Sequence, residues 1–151
     1  MKKIIVPIDF SKHSEYALKT AAKFAKKYNA DLLALHMLEM SDIMLTTTEG
    51  EQYQKAVFFL KLAEQKFEAF LNKPYLQDVN VIPIVKHFKV FSEVNEVAKK
   101  ENADLIIMGS HGASGFKEFF VGSNTERVVR NAEIPVLVVK HETASSSFDQ
   151  V

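Results

Sequence analysis

Five short apolar runs alternate along this chain with stretches of helical periodicity, and that alternation restricts the fold more than any other feature. Lys3–Asp9 is rich in isoleucine and valine, and runs of the same kind recur at Asp31–Leu38, within Val79–Phe88, at Ala103–Met108 and at Pro135–Lys140. Near-continuous apolar runs of this length read as strands covered on both faces. Between the first two, Lys12–Tyr28 places Ala17, Leu18, Ala21, Phe24, Ala25 and Tyr28 at helical spacing, with Ser11 positioned to cap the N–H near Ser14. Glu51–Asn72 is the longest helical stretch. Its stripe is Phe59, Ala63, Phe67 and Phe70, with Leu60 and Leu71 beside it. Val57, Phe58 and Leu62 widen that stripe, so contact with more than one neighbour is expected, and Pro74 cannot continue the helix. Two shorter helices follow, one capped by Ser92 and carrying Val94, Val97 and Ala98, the other from about Ser123 to Asn131. Ser41–Gly50 has no clear period and reads as a loop.

Strands alternating with helices require parallel pairing and right-handed crossovers. The expected fold is therefore α/β: an open, doubly wound, Rossmann-like sheet of five parallel strands with helices on both faces. Pro83 inside the third run favours an edge position, whereas Pro7 sits in a strand that should be central and reads as shaping its last turn beside a ligand. At 151 residues the chain is one domain. The pattern gives a domain over residues 1–140 and a tail over 141–151, with three consecutive serines, expected to be disordered.

Charge and composition narrow the function. Nineteen basic groups balance nineteen acidic ones, which argues against a nucleic-acid binder. No apolar run approaches the roughly 20 residues of a membrane span, and no signal-type apolar core follows the first lysines. A soluble, cytoplasmic protein without a membrane partner is expected. Without cysteine there is no disulfide, thiolate zinc site or thiol nucleophile. The histidines at positions 13, 36, 87, 111 and 141 include no i, i+4 pair, so no metal-ligand set is assigned. His36 reads as a buried strand residue. Ser110 beside His111 is adjacency rather than a triad, and no catalytic residue is assigned.

The glycines are unevenly placed. Of five in the chain, Gly109, Gly112, Gly115 and Gly122 fall within 14 residues, directly after the fourth strand. Ligands of open α/β sheets bind outside the carboxyl ends of strands, where the topology reverses. A glycine-rich loop there lets backbone N–H groups converge on an anion, and Gly122-Ser123-Asn124 opens a helix whose free N–H groups favour phosphate. A flexible turn followed by an ordinary N-cap is the alternative, and spacing alone leaves both open. The loop is neither a P-loop, since Gly-Lys-Ser/Thr does not occur, nor a dinucleotide fingerprint, since its glycines are each three apart and follow the fourth strand. Asp9, ending the first strand, can bind a ribose hydroxyl or adenine amino group, or simply serve the start of the helix at Ser11. His111 is the best functional histidine because it lies in the loop.

Taken together, Gly109-x-x-Gly112, nine residues, then Gly122-Ser123 resembles the nucleotide-binding signature of the universal stress protein family. Ile5-Val6-Pro7-Ile8-Asp9, Leu35-His36-Met37, Asp104 through Gly109 and Ile134 through Val139 match in the family order. The resemblance covers nearly the whole chain, from about Lys2 to Lys140. It implies strand order 3-2-1-4-5 and a homodimer through the last strand, Ile134 to Lys140. It also implies ATP or another adenine nucleotide as ligand, with Mg2+ or Mn2+. Asp9 would contact adenine or ribose, and the backbone at Met37 would face the adenine. Gly109 would lie near the ribose, with Gly112, Gly122, Ser123 and Asn124 at the phosphates. The implied role is a nucleotide-binding module in stress or energy-state response, with at most weak ATP hydrolysis. The alternatives are a slow ATPase and a nucleotide-free adaptor for protein partners. Many members place a glycine around His87-Phe88-Lys89, and this chain has none, so Phe88 or Phe91 could line or block the pocket.

Overall fold

The computed structural model describes residues 1–39, 48–88, 93–112 and 121–142. These residues form β1 (Lys3–Ile8), α1 (Lys12–Tyr28), β2 (Asp31–Glu39), α2 (Glu49–Leu71), a 3-10 turn (Pro74–Leu76), β3 (Val81–Phe88), α3 (Glu93–Lys100), β4 (Leu105–Gly109), α4 (Ser123–Asn131) and β5 (Val136–Val139). All strand pairs are parallel, in the order β3-β2-β1-β4-β5, as alternation and resemblance together predict.

Chain direction explains the layers. Two right-handed steps outward from β1 place α1 and α2 on one face; the return to β4 and the step to β5 place α3 and α4 on the other. On the first face Ala17, Leu18, Ala21 and Ala25 of α1 and Phe67 of α2 close over Ile4, Val6, Ile8, Leu32, Ala34 and Ile107. On the second, Val94, Val97 and Ala98 of α3 and Val128 of α4 cover Ile5, Leu33, Leu35, Ile106 and Met108. Each fully buried Ile or Leu contributes about 1.5–3 kcal/mol, so the central strands anchor both cores.

Helix α1 begins where its cap predicts, with the Ser11 hydroxyl accepting from the Ser14 N–H at 3.2 Å. It ends at Asn29, whose left-handed φ of 50° lets its N–H reach the Ala25 carbonyl. Helix α2 starts earlier than its apolar stripe because the Glu51 carboxylate accepts from the Thr48 N–H at 3.4 Å and the Thr48 hydroxyl at 3.1 Å. Only Ala63 and Phe67 of α2 are buried, while Phe58 is 62% and Leu62 36% exposed. The stripe does meet more than one neighbour: α2 lies over β2 and β3 and reaches Phe10 through Phe67 and Phe70, while Phe58 and Leu62 on its added width face outward. The Ser92 cap, Phe91, the side chain of Phe88, most of the loop after β2 and the tail beyond Glu142 lie outside the described residues.

The two prolines in strands occupy different kinds of position. Leu32 donates its N–H to the Asn80 carbonyl at 2.9 Å, so by alternation Val81, Pro83 and Val85 turn their backbone groups away from β2. Pro83 thus sits on the outer row of edge strand β3, where its missing N–H breaks no ladder bond. Lys3 accepts from the Asp104 N–H at 2.8 Å, so Lys3, Ile5 and Pro7 face β4. The β1–β4 ladder runs through Ile4↔Leu105 and Ile5↔Ile106 and goes no further, because Pro7 has no donor for the next rung. Pro7 separates the two central strands at the point where the strand order reverses.

Candidate functional site

β1 ends at Ile8 while β2 continues to Glu39, leaving a notch above the end of the central strand. At the turn out of β1, Phe10 adopts a left-handed φ of 64°, which a bulky side chain rarely tolerates. Its ring is held 4.5 Å from that of His36, with the edges of Phe67 and Phe70 at 6.0 and 5.5 Å. The turn directs Asp9 two ways: Oδ1 accepts from the Ser11 N–H at 2.9 Å, and Oδ2 lies 3.1 Å from where a Cβ on Gly112 would stand. The helix-start role of Asp9 and its position against the glycine loop therefore coexist.

On the β4 side, Gly109 lies against the first turn of α1, and an added Cβ would stand 2.7 Å from the backbone carbon of His13. Thr125 donates its hydroxyl to the Gly109 carbonyl at 2.8 Å. Ser110 is buried; its N–H reaches Val139 at 2.9 Å, and its carbonyl accepts the Gly122 N–H at 2.7 Å. The Ser110 hydroxyl and His111 Nδ1 share a hydrogen bond of 2.8 Å. These bonds tie both ends of the loop to the top of the sheet.

Helix α4 begins at Gly122 with no side chain capping it. Its first intrahelical bond runs from the Glu126 N–H to the Gly122 carbonyl at 2.9 Å. The N–H groups of Ser123, Asn124 and Thr125 precede that bond and have no acceptor within the helix. They give the helix start its partial positive charge and its capacity to hold an anion.

A cleft of about 30 Å³, room for a single water-sized group, collects Pro7, Asp9, Gly109, His111, Gly112 and Asn124, together with Ser14, Met108 and Thr125. Ser123 is exposed beside it at the first position of α4. Gly122 lies behind the loop, and its N–H is engaged by Ser110 rather than directed into the cleft. Met37 is set apart from the lining: its side chain belongs to the core under α3. Its backbone, however, faces the β1 side just beyond the last β1–β2 pair, Ile8↔His36. Sequence reasoning missed Ser14, Met108, Thr125 and His13. The signal for the first and last was their place in the first turn after Asp9; Thr125 offered none, since its hydroxyl acts across the loop.

His36 donates its Nδ1–H to the Ile8 carbonyl at 2.8 Å, below the ring of Phe10. Burial lowers its pKa, with the Ile8 hydrogen bond and Asp9 opposing. A histidine kept neutral in the fold stabilises fully above its unfolded value of 6.5 and progressively less as pH falls through the window below it. The melting temperature is expected to drop between pH 7.5 and 5.5, and His36→Gln to flatten that drop. An identical pH slope in the variant would show that His36 does not carry the effect. His13 is also lowered, first by burial and then by the charge of His111. Among the described residues no group of three His, Asp or Glu side chains could hold a metal ion, and no helix is long and apolar enough to cross a membrane.

Comparisons with known proteins agree with the fold. The model of the universal stress protein family matches residues 1–140. Universal stress protein MJ0531 of Methanocaldococcus jannaschii is 32% identical, with 92% of this chain and 82% of the relative covered. The solved structure of MJ0577 from the same organism superposes with a TM-score of 0.81 at 31% identity, over 95% of this chain and 98% of that one. A universal stress protein from Archaeoglobus fulgidus in complex with dAMP shares the fold at a TM-score of 0.57 and 19% identity, over 93% and 98% of the two chains. With its signature glycines gathered at the reversal point of a 3-2-1-4-5 sheet, this chain belongs to the universal stress protein family.

Proposed function

We propose that the cleft between β1 and β4 is the phosphate end of an adenine-nucleotide site, with ATP as the first candidate ligand. The observation that carries this reading is the convergence of the uncapped start of α4, the Gly112 backbone and Asp9 on one cleft. An oxyanion suits the free N–H groups of Ser123, Asn124 and Thr125, and a ribose hydroxyl or adenine amino group suits the acceptor oxygens of Asp9. The backbone of Met37, beyond the last β1–β2 pair, fits the adenine side. Gly109 and Gly122 act here by letting backbones approach. Since the cleft encloses only about 30 Å³, the base and sugar lie outside this enclosed part. Mg2+ or Mn2+ would be held chiefly by the phosphates. The A. fulgidus relative, which carries dAMP, agrees in ligand class.

Binding is favoured over catalysis. Efficient phosphoryl transfer needs a positioned water and concentrated positive charge. Here Arg130 pairs with Glu126 on the exposed side of α4 and Arg127 is also exposed, so hydrolysis is at most slow. The module is proposed to act in the cytoplasm as a homodimer joined along β5, in response to stress or energy state. In support, Val136, Leu137 and Val138 on that terminal strand are apolar yet only partly covered.

Mass spectrometry of gently purified protein tests the reading, together with melting in ATP-Mg2+. Copurified adenine nucleotide is expected, or a stabilisation of about 2.7 kcal/mol at a hundredfold excess over Kd. Absence of both overturns it. ATP recovered intact argues against an efficient ATPase.

A further inference from the structure

His13 lies outside the glycine signature, on the first turn of α1, and its backbone is the surface against which Gly109 packs. Its imidazole stands 5.2 Å from that of His111, centre to centre, with the ring planes inclined by 49°. His111 lines the cleft, and its Nδ1 is engaged by the Ser110 hydroxyl at 2.8 Å. Both histidines are partly buried. His111 therefore stands in the cleft that Asn124 and Thr125 of α4 also line, and the His13 ring packs against it from behind.

We propose that His13 and His111 act as one proton-accepting pair, so that a phosphate-bearing ligand binds this cleft with uptake of a proton from solvent. The inference rests on the nucleotide reading and specifies how the charge of that ligand is met. Two neighbouring imidazoles resist carrying charge together, because like charges at this separation repel. An anion placed beside them offsets that repulsion and favours the protonated form. The groups that reach His13 are Asp9, which favours its charged form, and Lys12 and His111, which oppose it. Tyr16 meets the His13 ring edge-on at 5.9 Å. Around His111 the cleft is lined by the Asp9 carboxylate and, from α4, by the uncharged Asn124 and Thr125. In the free protein burial and His111 together lower the pKa of His13, which leaves it a proton to gain when an anion arrives. His13 is on this account a positioning residue, acting on the ligand through charge shared with His111.

Calorimetric titration with ATP at pH 7.0, in buffers of different ionisation enthalpy, measures the proton uptake. The wild type is expected to take up more protons than the His13→Gln/His111→Gln double variant, and its affinity to rise about fivefold more steeply from pH 8 to pH 6. Protonation of the free nucleotide is common to both titrations, so the difference between the two proteins reports the site. In the ligand-free protein, NMR should show the His13 titration midpoint moving up when His111 is replaced by glutamine. Equal proton uptake in wild type and double variant overturns the coupling alone, as does an unmoved His13 midpoint. No ATP binding at any pH overturns the nucleotide reading and the coupling with it.

Discussion

Gly109→Ala is expected to destabilise the fold by about 3 kcal/mol, lowering the melting temperature of a chain this size by roughly 6–12 °C. The methyl group would stand 2.7 Å from the His13 backbone carbon, 2.8 Å from its carbonyl oxygen and 2.8 Å from its Cβ. Backbone atoms in the first turn of a helix cannot swing aside as a side-chain end can. Relief requires α1 to lift, and α1 carries Ala17, Leu18, Ala21 and Ala25 into the core. The Thr125 hydroxyl bond to Gly109 would shift with it. Gly50 supplies the internal control: nothing lies within 4 Å of its added Cβ, and it sits inside α2, so Gly50→Ala should stabilise by up to about 1 kcal/mol. Thermal denaturation of the two variants decides. A Gly109→Ala protein that melts with the wild type would mean that α1 is not seated this closely on β4.

Gly122→Val is expected to leave the fold largely intact while weakening ATP binding at least tenfold, or about 1.4 kcal/mol. The backbone at Gly122 has φ −60°, open to any residue, so no conformational strain arises. The obstacle is space. A Cβ there meets the His111 Cα and the Ser110 carbonyl oxygen at 3.3 Å each, and the Gly112 N at 3.7 Å. Alanine asks those atoms to give by a few tenths of an ångström. Valine adds two methyl groups that press on the backbone of the cradle and displace Gly112 relative to the start of α4. Calorimetry on the folded variant reads the loss; unchanged affinity would place the nucleotide elsewhere. The two substitutions separate two reasons for a glycine in one loop. Gly109 serves the packing of α1 on the sheet, and Gly122 serves the shape of the cleft.

That separation was not legible in the sequence. The crowding of glycines marked a special loop, and the family resemblance assigned Gly109, Gly112 and Gly122 to the ligand, but close approach to α1 at Gly109 depends on a helix ninety-odd positions earlier in the chain. Parallel pairing was legible in the buried apolar runs and an edge position in Pro83, whereas the strand order followed from the family resemblance. The extent of α2 was misjudged at its start, since Thr48 and Glu51 act through a cap rather than through apolar period. Its stripe does meet two strands, but periodicity shows which residues share a face and not how far each is covered, and Phe58 stays exposed. Asp9 and Pro7 were read correctly as strand-end features, yet the role of Pro7 in parting β1 from β4 emerges only from pairing registers. Thr125 and His13 act across long sequence separations, and no local pattern announces them.

Pro83 has a consequence for assembly. A sheet with two pairable margins can add copies at both and grow into an open-ended fibre. In this molecule the β3 margin lacks a donor in the middle of its outward row, which blunts it against strand addition. The β5 margin carries Val136 to Val139 with no proline among them. Among the described residues only the β5 margin is suited to pairing, so growth by edges would stop at two copies without any further control.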